Sequence, residues 1–325
     1  MEHPLSHFRL AEFQFVLKAL DHLHLPPYKG STLRGGFGHA FKKVVCVNRE
    51  KICDTCLLKG KCVYSYVFET PPPPDTAKMR KYPYAPHPFV ITPPLETKRE
   101  YEPGETLRFE LTLIGRAIDY LPYFIYTFDE LGRMGIGRGR GKFKLEEVRA
   151  VREGERSKVK GEWEETIYSG RDKILHNSLK IMTIDDLSPF PPSPSTLHLT
   201  FLTPTRLKFD GSLVPKLEFH ILIRNLLRRI SLLSYFHCGK ELEVDFRGLI
   251  EKARDAEAKK ENLSWFDWDR YSQRQEASMK MGGFTGRITF EGVFEPLFPF
   301  LLLGQCIHVG KGTSFGLGKY ELTVN

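Results

Sequence analysis

One local pattern occurs twice in this chain, and the duplication limits its fold more than any other feature. Near the end, an apolar helix over 296–309 runs into a loop with four glycines, and an alternating strand follows at 320–324. The earlier copy has an apolar helix over 118–132, a glycine-rich loop at 135–141 and a strand that begins at Lys142. The offset of about 175 residues is too long for a solenoid and indicates two copies of one domain.

The rest of each copy predicts the same order of elements. In the first copy they are a strand at 8–20, a helix over 31–45 and a strand at 106–114, and in the second a strand at 196–202, a helix over 215–236 and a strand at 286–292. Ser31 or Thr32 is predicted to cap the first helix. The order strand, helix, strand, strand, helix, strand is the ferredoxin-like βαββαβ unit. The sequence therefore predicts an α+β fold of two tandem ferredoxin-like, RRM-like domains.

The length of the chain agrees with two domains, because 325 residues exceed what one hydrophobic core usually fills. The predicted parts are a first domain at 1–150 with an insert at 46–62, a charged hairpin with a proline-rich linker at 151–194, and a second domain at 195–325 with its glycine-rich loop at 310–318. The charged stretch at 251–261 is predicted to be a surface helix or loop.

The charge balance favours a polyanionic partner, and the hydropathy argues against a membrane. The formal net charge is +8, and 41% of the residues are hydrophobic. The chain has no run of about eighteen apolar residues, so no spanning helix is predicted. Its N-terminus is polar, which does not fit a signal peptide. We therefore expect a cytoplasmic protein with no membrane partner.

The two glycine-rich loops are candidate phosphate-binding sites. Glycine permits positive φ and lets bare N–H groups approach a ligand, which suits phosphate. The alternative is a tight helix-to-strand turn that needs glycine for its geometry alone. The candidate contacts are Arg138 and Arg140 in the first loop and Gly310, Lys311, Gly312, Gly316 and Gly318 in the second.

The first predicted helix carries a cluster of polar side chains. His39, Lys42 and Lys43 lie at i, i+3 and i+4, so they share one helix face. Three glycines near the start of the helix each cost about 1 kcal/mol, which indicates close approach by another strand or by a ligand. Tyr28 precedes this helix, and Arg34, in its first turns, is a candidate RNA contact.

Four cysteines within the insert have the spacing C-x6-C-x2-C-x5-C. They are Cys46, Cys53, Cys56 and Cys62. A short polar insert has little core of its own, so a metal is predicted to hold it. Zinc is the first choice and a four-iron cluster is the alternative, while free or disulfide-paired thiols are the non-metal interpretation. Four thiolates leave no open coordination position, so the role of the metal would be structural.

One stretch in the second copy is a further candidate for RNA contacts. Arg270, Ser272 and Arg274 alternate along a predicted strand and therefore fall on one face. Basic and hydroxyl groups in a row suit phosphate. His220 forms a polar stripe with two arginines on the helix over 215–236, where a solvated amphipathic face is the simpler interpretation.

Several of these motifs together resemble one known superfamily. They are Ser-Thr-Leu-Arg-Gly-Gly-Phe-Gly-His at 31–39 followed by the four cysteines, Arg-Tyr-Ser-Gln-Arg-Gln at 270–275, Gly-Gly-Phe-Thr-Gly at 282–286, and the terminal glycine-rich loop. In this order they cover nearly the whole chain and resemble the CRISPR-associated RAMP superfamily. They look most like its pre-crRNA-processing endoribonucleases, the sixth numbered Cas family.

The resemblance implies an endoribonuclease that cuts CRISPR repeat RNA to mature crRNA. Cleavage would need no metal: the 2′-hydroxyl attacks the adjacent phosphate and leaves a 2′,3′-cyclic phosphate and a 5′-hydroxyl. Family members often place a Tyr, a His and a Lys at this helix, and the matching positions are Tyr28, His39 and Lys42 or Lys43. The implied roles are general base or acid for His39, stabilisation of the phosphorane for a lysine, and orientation of the 2′-hydroxyl for Tyr28.

Other interpretations stay open at this point. Some RAMP proteins are non-catalytic subunits that coat guide RNA in effector complexes, so subunits of such a complex are candidate partners. A basic protein that binds some other RNA is a third interpretation. His39 could also be a passive residue of its helix, in which case His308 and His220 are the next catalytic candidates.

Overall fold

The computed structural model describes residues 3–48, 50, 52–73, 75–80, 82–151, 163–176, 181–187, 194–214, 216–267, 269–272 and 277–324. The chain divides into two compact units. The first consists of Leu5–Asp186 and Leu232–Glu241, and the second of Met1–Pro4, Leu187–Ser231 and Leu242–Asn325. Within the described ranges, no helix is long and apolar enough to cross a membrane.

The first unit is built on a six-stranded antiparallel sheet. Its elements are β1 (Leu10–Ala19), β2 (Leu23–His24), α1 (Gly30–Val45), β3 (Phe89–Thr92), β4 (Glu100–Tyr101), β5 (Thr106–Ile114), α2 (Leu121–Met134), β6 (Phe143–Val151), β7 (Trp163–Ser169) and β8 (Ile174–Leu175). The sheet order is β3-β5-β1-β6-β7-β8, and β2 pairs with β4 separately. The four strands β3, β5, β1 and β6, with α1 after β1 and α2 after β5, have the ferredoxin-like arrangement that the sequence predicts.

The part of the chain beyond residue 194 repeats this arrangement. Its elements are β9 (Thr196–Thr205), β10 (Lys208–Phe209), β11 (Ser212–Leu213), α3 (Phe219–Leu233), α4 (Phe246–Arg254), β12 (Glu257–Phe266), β13 (Asp269–Ser272), β14 (Ala277–Lys280), β15 (Gly283–Glu291), α5 (Phe298–Ile307) and β16 (Tyr320–Val324). The sheet order is β12-β15-β9-β16, which matches β3-β5-β1-β6 strand for strand. The prediction of two ferredoxin-like domains is confirmed.

Aromatic rings hold α1 against the rest of the first unit. Phe37 is fully buried, and its ring centroid lies 4.8 Å from that of Phe124 and 5.4 Å from that of Phe128 on α2. On its own helix it stacks on Phe41 at 5.0 Å. These contacts fix the position of α1, and therefore of every polar side chain that the helix carries.

One detail of the predicted α1 is wrong. Lys29 occupies the N-cap position and no side chain caps the helix, so neither Ser31 nor Thr32 has that role. At two of the helix glycines, Gly36 and Gly38, the close neighbours are side chains from other parts of the fold. A Cβ on Gly38 would lie 2.1 Å from the Phe68 ring, because a short π-helix at Ser65–Glu69 packs directly on α1.

The predicted surface helix or loop at 251–261 is also wrong in its second half. This stretch contains the end of α4 and the start of β12. β12 is an edge strand of its sheet, and almost all of its residues are exposed. A strand that buries neither face has no alternation of apolar and polar residues, so its sequence does not reveal it.

Candidate active site and nucleic-acid interface

The polar face of α1 carries the side chains that could perform acid–base chemistry. His39 and Lys43 are exposed, whereas their neighbours Phe37, Ala40 and Phe41 are buried. The helix therefore turns its apolar stripe to the core and leaves an imidazole and an ammonium group on the opposite side. The 16-residue helix and its aromatic anchors make this a rigid support.

Lys42 and Arg34 have their cations against aromatic rings. The Lys42 ammonium lies 5.4 Å from the centroid of the Tyr64 ring. The Arg34 guanidinium lies 4.2 Å from the Phe68 centroid and makes a 3.1 Å hydrogen bond to His87 Nε2. Of the two candidate lysines on α1, Lys43 is therefore the more exposed to solvent.

Tyr28 and Lys29 form the approach to α1. Tyr28 is half-buried, and burial raises the pKa of its hydroxyl, which stays protonated at neutral pH. Lys29 is fully buried, and its ammonium donates to the backbone carbonyl of Glu96 at 2.9 Å. Burial lowers the pKa of Lys29, and the Glu96 carboxylate opposes that shift. The sequence did not single out Lys29, because a buried lysine has no local signature.

The first glycine-rich loop packs against the chain's own backbone. Gly135, Gly137 and Gly139 have positive φ. A Cβ on Gly137 would lie 2.2 Å from the His24 carbonyl oxygen, so this position requires glycine for packing. Arg138 and Arg140 are exposed, which leaves their guanidinium groups accessible to a ligand.

The terminal glycine-rich loop is largely buried. Its four glycines have φ between 76° and 83°, and a Cβ on Gly318 would lie 1.8 Å from the Val309 carbonyl oxygen. Five N–H groups of the loop, those of Lys311, Phe315, Gly316, Leu317 and Gly318, donate to backbone carbonyls within the protein. The geometry of the loop is enough to explain its glycines. We therefore restrict the hypothesis of phosphate binding to the start of the loop, where Lys311 is exposed.

His308 precedes that loop and is fully buried. Its Nδ1 donates to the Leu317 carbonyl at 3.2 Å, and its backbone φ is 62°. Burial, with the nearby Lys319 and Arg229 cations, lowers the pKa of His308 well below its usual range. The imidazole is neutral and covered by protein. Its role in this structure is to stabilise the loop through its hydrogen bond to Leu317.

The remaining candidate residues of the second copy, one catalytic and three for RNA contacts, lie on different elements. His220 is on α3, and its Nε2 is 2.9 Å from the Glu218 carboxylate. Arg270 and Ser272 belong to β13, which pairs with β14 in a small hairpin. Arg274 lies outside the described residues.

The four clustered cysteines are half-buried free thiols in this structure. Cys46 Sγ makes a 3.6 Å contact with the Asn48 carbonyl, while Cys53 and Cys62 pack against the hydrophobic core. In the described part of the chain, no group of three or more His, Cys, Asp or Glu side chains is arranged to hold a metal ion. The thiols as placed here do not form a metal site, and zinc stays a prediction from their spacing.

Elemental analysis checks the zinc prediction. We expect the purified protein to carry about one zinc ion per chain, because four clustered thiolates form a tetrahedral zinc site. The double variant Cys53→Ser/Cys56→Ser should lose the metal, and Cys238→Ser/Cys306→Ser, which removes two thiols elsewhere, should keep it. Iron and a brown colour would replace zinc by an iron–sulfur cluster, and a metal-free protein of unchanged stability would contradict both.

Two known family models match this chain, one in each half. Residues 8–179 match the N-terminal domain model AF_1859_N, and residues 199–320 match the model of the CRISPR-associated endoribonuclease Cas6. An uncharacterized protein of Archaeoglobus fulgidus is 23% identical over 303 residues, which are 92% of this chain and 93% of that protein. The similarity therefore extends over both ferredoxin-like domains.

Solved structures share the fold over the whole chain. A Cas6 product complex has a TM-score of 0.58 and 18% identity, with 97% of this chain and 99% of that chain covered. The structure of Thermus thermophilus Cas6 has a TM-score of 0.54 and 17% identity over the same shares. A partial Cas6-RT-Cas1–Cas2 complex has a TM-score of 0.57 and 15% identity, with 99% of this chain and 47% of that chain covered.

Each of the two family models matches one of the two domains. The first covers the sheet and helices around α1, and the second runs from within β9 to the first residue of β16 and includes the terminal glycine-rich loop. The chain belongs to the family described by the N-terminal domain model AF_1859_N, and its residues 199–320 are similar to the CRISPR-associated endoribonuclease Cas6.

Proposed function

We propose that this protein cuts CRISPR repeat RNA to mature crRNA without a catalytic metal. The 2′-hydroxyl of the RNA attacks the adjacent phosphorus while its proton passes to a base. The bond from phosphorus to the 5′-oxygen breaks, and that oxygen takes a proton from an acid. The products are a 2′,3′-cyclic phosphate and a 5′-hydroxyl. This chemistry requires a base, an acid and a cation for the charge of the phosphorane.

The exposed position of His39 is the observation that supports this proposal. A histidine exchanges protons near neutral pH, and His39 lies on a rigid helix where RNA can reach it. We assign His39 the role of general base or acid and Lys43 that of stabilising the phosphorane. Tyr28, whose hydroxyl stays protonated, would donate a hydrogen bond that orients the reacting group.

Incubation with repeat RNA in EDTA tests the reaction. A metal-independent nuclease should cut once per repeat and leave a cyclic phosphate, which mass spectrometry of the fragments detects. Binding without cleavage would contradict the proposal and indicate a non-catalytic subunit that coats guide RNA. Binding of unrelated RNA with equal affinity would indicate a general RNA-binding protein.

Salt titration tests the contribution of the first glycine-rich loop to RNA binding. We expect Arg138→Ala/Arg140→Ala to weaken affinity and to reduce the slope of log K against log[salt] by about 1.4. Each phosphate contact to single-stranded RNA contributes about 0.7 to that slope through counterion release. The control Arg133→Ala/Arg247→Ala removes the same charge from two arginines that already pair with carboxylates. Equal slopes in both double variants would remove the loop from the RNA path.

A further inference from the structure

The first unit contains a cavity of about 700 Å³. It lies among the short π-helix at Ser65–Glu69, the proline segment Pro71–Pro73 and a second π-helix at Ser234–Cys238. Small-molecule sites commonly have volumes of about 300–1,000 Å³, so the cavity is large enough for a nucleotide. None of the candidate catalytic residues lines it.

A line of aromatic rings runs from the wall of this cavity to the protein surface. The ring centroid of Tyr66 lies 5.5 Å from that of His237 and 5.6 Å from that of Tyr120. Tyr120 in turn lies 6.0 Å from Tyr123, which is 43% exposed on α2. We call His237, Tyr66, Tyr120 and Tyr123 the aromatic track.

Hydrogen bonds hold the inner end of the track rigid. His237 Nε2 donates to the Pro86 carbonyl at 2.7 Å, and its Nδ1 contacts the Tyr66 hydroxyl at 3.2 Å. Both ring nitrogens of the imidazole are thereby used within the protein. Burial raises the pKa of Tyr66, an effect larger than the opposing effect of the Arg116 cation, so its phenol stays neutral. The inner wall therefore carries the Tyr66 and His237 rings in a fixed arrangement.

The charges around the cavity favour an anion. The Arg116 guanidinium lies 4.1 Å from the Tyr66 ring centroid, and the residue is exposed. Lys59 also lines the cavity, and its ammonium is 3.7 Å from Asp54, a carboxylate that is 95% exposed. Among the described lining residues no Asp or Glu occurs. Aromatic faces beside cations bind the two parts of a nucleotide, a flat base and a phosphate.

We propose that the cavity and the aromatic track bind single-stranded RNA, with one base inside the cavity and the next bases on Tyr120 and Tyr123. Arg116 and Lys59 would contact the phosphates of that strand. This inference rests on the proposed function in one respect, because it takes RNA as the ligand of the protein. Stacking on ring faces accepts any base, so the track would hold a strand without reading its sequence.

Binding of a labelled single-stranded RNA hexamer, followed by fluorescence anisotropy, tests the proposal. Tyr123→Ala and Arg116→Ala should each weaken binding about tenfold, the scale of one lost base–aromatic contact. Arg116→Lys, which keeps the charge without the planar guanidinium, should weaken it less. Tyr82→Ala is the matched control, because Tyr82 is 54% exposed and lies outside the track. Unchanged affinity in Tyr123→Ala and Arg116→Ala overturns the proposal.

Two further measurements complete the test. The first distinguishes an RNA strand from a free nucleotide as the ligand, and the second distinguishes failure of this inference from failure of the proposed function. Titration with AMP should give much weaker binding than the hexamer. Equal affinity for AMP, insensitive to Tyr123→Ala, would indicate a free-nucleotide site and overturn the proposal of a strand. Cleavage of repeat RNA is measured on the same preparations. Normal cleavage by the parental protein, with unchanged hexamer binding in the variants, overturns this inference alone. Absent cleavage by the parental protein, with weakened hexamer binding in the variants, overturns the proposed function alone.

Discussion

Replacement of His39 by alanine is expected to slow cleavage of repeat RNA by about a hundredfold or more, the usual effect of losing a general acid or base. The affinity for the RNA should change little, since one exposed imidazole contributes few phosphate contacts. Single-turnover cleavage at saturating enzyme measures the rate. Affinity is measured with a substrate that carries a 2′-deoxy nucleotide at the cleavage site, because it cannot react.

A second histidine variant makes this test specific. His22 is half-exposed on the same unit, and its Nε2 lies 3.2 Å from the Glu100 carboxylate. His22→Ala removes an imidazole from outside α1 and should cleave at the parental rate. If His39→Ala also cleaves at the parental rate, His39 is not catalytic. If both variants lose cleavage equally, the loss does not come from acid–base chemistry at His39.

Replacement of Phe37 by alanine should lower the free energy of unfolding by about 3–5 kcal/mol. The side chain is fully buried among Phe41, Phe124 and Phe128, so truncation leaves a cavity that the surrounding rings cannot fill without moving. Urea unfolding followed by circular dichroism measures the change. A loss of less than about 1 kcal/mol would show that the core closes around the missing ring.

Two control variants show whether the loss of stability in Phe37→Ala comes from the buried ring. Phe37→Leu keeps most of the apolar volume and should cost less than the alanine variant. Tyr126→Ala removes a ring that is 53% exposed on α2 and should change stability by no more than about 0.5 kcal/mol. A large loss in Tyr126→Ala would mean that the surface of α2 has a structural role.

The duplication could be predicted from sequence because most of the main strands and helices in both copies bury one face. Phe13, Phe15 and Leu17 alternate inward on β1, and such alternation is visible in a sequence without any homologue. β12 has no buried face and was therefore missed. The buried Lys29 was missed for a related reason, since its ammonium donates to the Glu96 carbonyl, which lies 67 positions away in the sequence.

The candidate site was predictable only in part. The helical spacing of His39 and Lys43 places them on one face, and both are exposed as that spacing suggests. Lys42 and Lys43 have different environments because the Tyr64 ring, from a later segment of the chain, lies beside the Lys42 ammonium. The contact of Tyr66 with His237 joins residues 171 positions apart, and no local pattern contains that information.

The Leu232–Glu241 segment belongs to the first unit although the sequence of the second unit surrounds it. Its fit is close, because a Cβ on Gly115 would lie 2.0 Å from the His237 carbonyl oxygen. A chimera that joins the first half of this chain to the second half of a relative at residue 195 would therefore bring a foreign segment against Gly115. Recombination between relatives should succeed only when the 232–241 segment travels with the N-terminal half. The two copies are duplicated in architecture, but they are not interchangeable modules.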